Sequence, residues 1–362
     1  MFWGVELRPL IELDSLRFFA IGLVVLHHQV MDFNPFMGWM KKFGWSGVEI
    51  FFTLSGFLIT SILLKELERK KSIEIVKFWT RRALRLWPSW LVVLIATHLV
   101  IIFFFRHHNE IQDRVSQQIA YYYLHLANYS AAINGCTQNL LCHYWSLAVE
   151  EHFYLIWPPL LLLFMRYRTV RPLIFILMLA APYAFRIYHS YELSNMPWIR
   201  QATHSRIDSI AWGCFLALYF EKLPKLRPIS DLAVSLVSAT LFYFAYHYMY
   251  LRDDQPLIQY GSYTLLSLAT CLLIWIALKG SEYGLRAILK IRLLAWFGIM
   301  SYGIYLVHFL TNLFVFGLVK KASIDIDSAY LVAINCLLPL GGAVLLYHLV
   351  DKPFASIKAK LH

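Results

Sequence analysis

The sequence is poor in charged residues and in cysteine, and both shortages limit what the protein can be. Asp, Glu, Lys and Arg make up 15% of the 362 residues, whereas a soluble protein usually has about a quarter. There are five cysteines, with no CxxC and no Cys/His spacing typical of zinc. The sequence also lacks a glycine-rich phosphate loop and a dinucleotide fingerprint. We therefore expect no metal and no bound cofactor.

The sequence is instead rich in long apolar runs. Hydrophobic residues account for 59% of the sequence, and runs of about twenty apolar residues are typical of transmembrane helices. The pattern predicts an all-α, multi-pass integral membrane protein with both termini cytoplasmic, in a single domain over residues 1–362. Ten spans are expected, near residues 12–31, 44–64, 87–105, 145–165, 172–189, 207–220, 230–250, 261–279, 293–318 and 329–350.

The placement of the basic residues predicts how the chain is oriented in the membrane. The net charge is +11, but the basic residues cluster in short loops between apolar runs, which argues against nucleic-acid binding and follows the positive-inside tendency. That tendency holds only if the amphipathic stretch 116–133 does not cross the membrane. Cys136 and Cys142 then share an outer loop, where a disulfide is plausible but not decided by the sequence.

The first predicted span carries two polar side chains on one face. Arg17 and His28 are eleven residues apart, which on a helix separates them by roughly 20° around the axis and about 16 Å along it. Inside a membrane such residues are costly unless they line a cavity or find a partner. This pair is the first indication of a catalytic interior.

Three arginines stand in the loop before the third span. Arg81, Arg82 and Arg85 have helical spacing, with Arg81 and Arg85 on one face. They are either an anchor for lipid headgroups or a cytosolic phosphate-binding patch. A ligand with several phosphates, such as coenzyme A, would suit three arginines.

Carboxylates also fall inside predicted spans. Glu49 precedes an apolar run and needs a partner, while Ser55 and Gly56 further along suit a close approach of two helices. Glu150 and Glu151 are adjacent near the outer end of the fourth span, so we expect at most one of them to face a shared cavity.

Two later stretches add polar groups. Arg206 and Asp208 open another span, and we expect them to pair with each other or with a glutamate. Ser301, Tyr305 and His308 share one helical face in the span at 293–318, where His308 is either a packing residue or part of the site.

Several of these stretches together resemble the acyltransferase 3 family of integral-membrane O-acyltransferases. The resemblance covers nearly the whole chain and rests on "LDSLRFFAIGLVVLHH", "GVEIFFTLSGFLIT", "RRALRLWP", "WSLAVEEHFYLIWP", "RIDSIAWG", "SYGIYLVHF" and "YHLVDKPF". It implies a stand-alone enzyme like the O-antigen and exopolysaccharide acetylases, placed in a bacterial cytoplasmic membrane. No further domain is expected.

The resemblance implies an O-acetyltransferase that moves an acyl group from cytosolic acetyl-CoA to a carbohydrate hydroxyl. The family's arginine and histidine fall on Arg17 and His28, and its acid falls on Glu150, which gives the predicted catalytic residues. Arg81, Arg82 and Arg85 would bind the donor. We expect the substrate-binding residues to be Glu49, Arg206, Asp208, Tyr305 and His308.

The expected mechanism uses His28 as the base that takes the acceptor's hydroxyl proton. Arg17 would steady the donor or orient a carboxylate, and Glu150 would orient His28 or bind acceptor hydroxyls. A covalent acyl intermediate on His28 is an open alternative. A proton-coupled transporter and a non-catalytic membrane sensor are the other classes compatible with these residues. The sequence says nothing about the acceptor's identity or the oligomeric state.

Overall fold

The computed structural model describes residues 10–29, 38, 41–104, 109–136, 140–192, 196–251, 256–322 and 329–359. Within these residues the chain is almost entirely helical and contains no strand, so the predicted all-α class is confirmed. The helices are α1 (Ile11–His27), α2 (Ser46–Lys70), α3 (Ile75–Phe104), α4 (Asn109–Tyr123), α5 (Ala127–Asn134), α6 (Tyr144–Arg166), α7 (Arg171–Phe175), α8 (Ala181–Glu192), α9 (Met196–Gln201), α10 (Thr203–Tyr219), α11 (Pro228–Leu251), α12 (Pro256–Lys279), α13 (Leu285–Leu289), α14 (Arg292–Ile299), α15 (Ser301–Ala322), α16 (Ala329–Leu346) and α17 (Lys352–Ala359).

Some of these helices are long and apolar enough to cross a membrane. By length and composition, seven helical segments in the described residues can cross one, or eight if α14 and α15 form one broken span. The predicted spans 12–31 and 207–220 correspond to α1 and α10, which have 17 residues each, at the short end of the range for a full crossing. The count of ten and the cytoplasmic termini stay predictions.

The stretch 116–133 is not one long helix. It is divided between α4 and α5, with a turn at His125 in the left-handed backbone region (φ 56°), and neither helix is long enough to span a membrane. This agrees with the expectation that the stretch does not cross. A disulfide joins Cys136 and Cys142 across the following loop, with a Cα–Cα distance of 5.4 Å.

The chain folds into two compact units built from interleaved segments. Unit 1 comprises Met1–Ala20, Ser46–Ile75 and His152–Ile299, and unit 2 comprises Ile21–Trp45, Val76–Glu151 and Met300–His362. The boundary therefore divides α1 and α6. The prediction of one domain over the whole chain is not tested by this division.

Unit 1 is built around a close contact between α2 and α10. A Cβ atom added at Gly56 would collide with the carbonyl oxygen of Ile210, and one added at Gly213 would collide with that of Thr53. Thr53 Oγ1 also donates to the carbonyl oxygen of Ser209 at 3.1 Å. The expected close helix approach at Gly56 is therefore confirmed, since only glycine leaves room for the two backbones.

Unit 2 has an aromatic and aliphatic core to which six of its helices contribute, α3, α4, α5, α6, α15 and α16. The α15–α16 contact is close at Gly303, where an added Cβ would lie 2.9 Å from that of Ala343. The main core residues are Trp90 and Leu94 of α3, Tyr122 of α4, Tyr144 and Ala148 of α6, and Leu306 and Val307 of α15.

Candidate active site

His28 follows the last residue of α1 and binds both its own helix and α15. Its Nδ1 lies 2.9 Å from the carbonyl oxygen of Val24 and 3.3 Å from Nε2 of His308. Asn312 of α15 donates to the carbonyl oxygen of His28 at 3.2 Å, and the Phe309 ring lies 4.6 Å from the imidazole, centroid to centroid. The imidazole is therefore held on two sides within unit 2.

These contacts select one proton arrangement on the two histidines. A carbonyl oxygen can only accept, so His308 Nδ1, 2.6 Å from the carbonyl oxygen of Tyr305, must carry a proton. In a neutral ring its Nε2 is then an acceptor. His28 Nδ1 must accordingly hold the proton that it shares between Val24 and His308. The remaining lone pair of His28 is on Nε2, which is the atom that can act as a base.

A third histidine completes a cluster. His143, in the turn before α6, donates from Nε2 to the carbonyl oxygen of Leu306 at 3.3 Å. Its ring stacks on Phe309 at 4.7 Å and lies 5.0 Å from the ring of His308. We refer to His28, His143 and His308 as the histidine cluster. The sequence analysis did not assign His143 to the site, although its position seven residues before Glu150 at the start of an apolar helix was a usable signal.

Tyr305 connects the histidine cluster to α6. Its hydroxyl donates to the carbonyl oxygen of His143 at 2.9 Å, and Ser146 Oγ lies 2.5 Å from the same hydroxyl. Both side chains are buried. The structure thus brings the predicted residue His308 into contact with the predicted base His28 and places the Tyr305 ring 5.4 Å from the ring of His308, while Ser146 was missed.

Glu150 and Glu151 lie together in a cleft of unit 2. Glu151 accepts a hydrogen bond from Trp87 Nε1 at 3.2 Å. The expectation that only one of the two glutamates faces a shared cavity is wrong, because a glutamate side chain is long enough to turn toward the same space from a neighbouring helical position. We call this space the acidic cleft; it is lined by Leu86, Trp87, Trp90, His125, Leu147, Glu150, Glu151 and Tyr302.

The position of the acidic cleft along α3 differs from expectation. Trp87 is seventeen residues, about 25 Å, from the end of α3 at Phe104, whereas it is five residues from Arg82 and two from Arg85. The glutamates are therefore next to the basic half of α3, whereas the sequence placed them near the outer end of their span. The reason is that α6 starts partway along α3, which a hydropathy pattern does not reveal.

The arginines of α3 differ in exposure. Arg81 and Arg82 are half-buried and Arg85 is exposed, and the Arg82 guanidinium lies 5.7 Å from the centre of the Phe78 ring. Arg82 interacts electrostatically with Glu151, and Arg85 with Asp351. The patch thus combines positive charge with nearby carboxylates.

Arg17 belongs to unit 1, whereas His28 belongs to unit 2. Its Nη1 lies 2.8 Å from Asp14 Oδ1, and 24% of the Arg17 side chain is exposed. A carboxylate partner was one of the two expectations for Arg17, and Asp14 supplies it from the preceding turn.

Unit 1 also contains two buried ion pairs. Glu49 pairs with Arg206 and accepts from Ser209 Oγ at 2.6 Å. The Asp208 carboxylate accepts hydrogen bonds from both terminal nitrogens of Arg186, at 2.7 and 2.9 Å. The expectation that Arg206 pairs with a glutamate is confirmed, and Arg186, which the sequence analysis missed, could have been found as an arginine within an apolar run.

All four charged groups of these pairs are at most 3% exposed. The Arg206 guanidinium also lies 3.9 Å from the centre of the Tyr263 ring. Removing one partner from such a pair leaves an uncompensated buried charge. A substrate-binding role for Glu49, Arg206 and Asp208 therefore stays a prediction, and the contacts themselves give these residues a role in holding α2, α8 and α10 together.

Comparison with protein families decides among the classes left open by the sequence. A family model described as an acyltransferase domain, acyltransferase 3, matches residues 10–348. The chain belongs to the acyltransferase 3 family. Every residue of the histidine cluster and of the acidic cleft falls within the matched range of this acyltransferase domain.

Three relatives are similar over most of this chain. The peptidoglycan O-acetyltransferase OatA of Listeria monocytogenes is 29% identical over 82% of the chain and 48% of its own length. The O-acetyltransferase OatA of Staphylococcus aureus is 29% identical over 96% and 57%, and the putative peptidoglycan O-acetyltransferase YrhL of Bacillus subtilis is 30% identical over 95% and 54%. The chain thus spans about half the length of the curated relatives it matches. No solved structure matches this acyltransferase domain.

Proposed function

We propose that this acyltransferase domain is a membrane O-acetyltransferase that transfers acetyl from cytosolic acetyl-CoA to a carbohydrate hydroxyl of the cell envelope. The observation that carries the proposal is the histidine cluster, in which the Nδ1 proton of His28 is held by Val24 and His308. The names of the relatives make peptidoglycan the first acceptor to test.

The reaction needs one base and one proton donor, and a single imidazole can be both. His28 Nε2 takes the proton of the acceptor hydroxyl while the oxygen attacks the thioester carbonyl carbon. The carbon–sulfur bond then breaks, the coenzyme A sulfur takes the proton from the imidazolium, and the acetyl ester remains on the acceptor. Positioned proton transfer of this kind contributes about 10²- to 10⁴-fold in rate.

The two ends of the donor require different surroundings. Its phosphates suit Arg81, Arg82 and Arg85, because guanidinium groups match phosphate oxygens in pairs. Its thioester must reach the histidine cluster, where the rings of Phe309 and His143 stack on each other at 4.7 Å. Tyr305 keeps the backbone of His143 in place by its hydrogen bond to that carbonyl oxygen.

The test is transfer of radiolabelled acetyl from acetyl-CoA into envelope glycans of cells that contain the full chain. We expect His28→Ala to abolish incorporation and Arg17→Ala to reduce it strongly, with equal amounts of protein in the membrane. His348→Ala and Arg69→Ala are matched controls, since both of these side chains are exposed. Incorporation that persists in His28→Ala would remove this histidine from the mechanism.

The same radiolabel distinguishes direct transfer from a route through a covalent acetyl group on His28. If acetyl resided on His28, the protein would retain label after incubation with acetyl-CoA and no acceptor, and His28→Ala would not. Direct transfer leaves no label on the protein. If no acyl-CoA gives label in glycan or protein, although the chain is folded and inserted, the transporter becomes the better hypothesis.

A further inference from the structure

Three buried side-chain amides lie around the end of α1 in unit 2. Gln29 is 2% exposed, Asn312 of α15 is 6% exposed and Asn335 of α16 is 1% exposed. We refer to these three residues as the amide cluster. Their oxygen atoms, Oε1 of Gln29 and Oδ1 of both asparagines, are buried and have no hydrogen-bond partner among the residues that the structure describes. Since buried polar groups are nearly always hydrogen-bonded, three such acceptors around one helix end need an explanation.

Two contacts connect the amide cluster to the candidate base. Asn312 Nδ2 donates to the carbonyl oxygen of His28 at 3.2 Å, and Gln29 is the next residue along the chain. Gln29 Nε2 in turn lies 4.0 Å from Sγ of Cys336, which is the neighbour of Asn335. The amide cluster therefore extends from His28 across to α16.

The packing of α15 against α16 puts the two asparagines at the same level. These helices run antiparallel and meet closely at Gly303 and Ala343. Asn312 is nine residues beyond Gly303 on α15, and Asn335 is eight residues before Ala343 on α16. Both asparagines are therefore about 12–14 Å from that contact, toward the same end of the helix pair.

The orientation of the Asn312 amide is decided by its partner. A carbonyl oxygen can only accept, so the group next to His28 is the NH₂ group and the unpartnered atom is Oδ1. The unpartnered atoms of the amide cluster are thus acceptors, and none of the three side chains is charged. Such acceptors suit a ligand with neutral donor hydrogens, such as the hydroxyl groups of a sugar, and disfavour phosphates and carboxylates.

The position of the amide cluster suits the acceptor rather than the donor. With the N-terminus cytoplasmic, as the sequence predicts, His28 and Gln29 lie at the outer end of α1, whereas the arginines proposed for the donor lie at the inner end of α3. His28 is partly exposed, so a ligand can reach this end from outside the protein. A sugar whose hydroxyl is presented to His28 also brings its neighbouring hydroxyls to the amides.

We propose that the amide cluster binds hydroxyl groups of the carbohydrate acceptor next to the hydroxyl that is acetylated. The inference rests on the proposed function for the identity of its ligand and adds residues that hold the acceptor. Gln29, Asn312 and Asn335 each supply one acceptor oxygen. Three acceptors in fixed positions also favour one hydroxyl of the sugar for reaction with His28.

The test measures acetyl transfer from acetyl-CoA to chitotetraose, an uncharged N-acetylglucosamine oligosaccharide, by the purified full-length chain in detergent. Asn335→Leu and Gln29→Met replace an amide by an apolar side chain of similar size. Each should raise KM for the oligosaccharide about fivefold, which corresponds to about 1 kcal/mol and to one hydrogen bond, and leave KM for acetyl-CoA unchanged. Asn312→Leu should also lower kcat, because it removes the donor to His28 as well.

Thermal unfolding separates a binding role from a structural one. Asn335→Leu removes an unpartnered buried polar group, so without acceptor it should unfold at the same or a higher temperature than the unmodified chain. Gln118→Met is the matched control, since Gln118 is a buried amide of α4 that accepts from Ser130, and it should leave both KM values unchanged. An unchanged oligosaccharide KM in Asn335→Leu and Gln29→Met would overturn the proposal. A lower unfolding temperature for Asn335→Leu would show that this amide has a structural partner and would overturn it as well.

A binding measurement distinguishes this inference from the proposed function. Equilibrium binding of radiolabelled chitotetraose needs neither donor nor turnover. Binding that is about fivefold weaker in Asn335→Leu than in the unmodified chain would support the amide cluster even if no acetyl transfer were found, in which case only the transfer function would fail. Absence of binding to the unmodified chain would overturn the amide cluster as a carbohydrate site.

Discussion

The proton arrangement in the histidine cluster leads to a graded effect of substitutions at His308. Asparagine retains a polar group near the position of Nδ1 and removes the acceptor at Nε2. Glutamine is long enough to place its amide oxygen near the Nε2 position and so keeps the acceptor for His28. We therefore expect His308→Asn to lower kcat and His308→Gln to retain most of it, with KM for both substrates little changed.

The size of the effect follows from the two acceptors of the His28 Nδ1 proton. The carbonyl oxygen of Val24, 2.9 Å from Nδ1, still accepts this proton when the contact with His308 at 3.3 Å is lost. One hydrogen bond contributes about 1 kcal/mol, and about 1.4 kcal/mol is tenfold in rate. His308→Asn should consequently lower kcat about fivefold, whereas His28→Ala should lower it by at least about 10²-fold.

The assay is steady-state acetyl transfer with the full chain in detergent, with His348→Asn as an exposed control. Equal kcat for His308→Asn and the unmodified chain would show that the His28–His308 contact does not position the base. A loss as large as that of His28→Ala would show that His308 is itself required for proton transfer. Either result would refute the reasoning, and a thermal unfolding curve for each variant excludes loss of folded protein.

Other expectations concern stability and covalent structure. Arg206→Met leaves Glu49 charged and buried, so it should lower the free energy of unfolding by about 3–5 kcal/mol in thermal unfolding in detergent. Gly56→Ala should lower it by about 1–3 kcal/mol, because the added methyl group meets a backbone carbonyl of α10. Without reduction, alkylation should leave Cys136 and Cys142 unmodified in a mass spectrum, and substituting both by serine should remove about 2 kcal/mol of stability.

Each of these expectations has an outcome that contradicts it. Gly22→Ala is the control for the glycine variant, because an added Cβ there meets nothing within 4 Å, and equal losses would argue against the close contact. Unchanged stability in Arg206→Met would mean that the buried pair is not retained in the membrane protein. Alkylation of both loop cysteines before reduction would show that the disulfide does not form.

Much of the candidate site was predictable from the sequence because membrane energetics make polar residues conspicuous. His28, Glu49, Arg206 and His308 stand out in apolar runs. The rule that such residues need partners predicted a partner for Glu49, and for Arg206 either Asp208 or a glutamate, and the structure shows the Glu49–Arg206 pair. Helical periodicity likewise placed Tyr305 and His308 on one face. These inferences depend on neighbours along the chain, which the sequence contains.

The remaining features depend on how far along one helix another helix begins. The start of α6 beside the middle of α3 put Glu150 and Glu151 next to the basic half of α3, and it brought His143 to His308. No hydropathy pattern encodes that offset, because every span has the same apolar signal wherever it starts. The sequence by itself determined that this is a helical membrane protein with an acyltransferase domain. Only the tertiary structure decided which side chains share the histidine cluster and the acidic cleft. Both are formed by helices that pack together although they are far apart in the sequence.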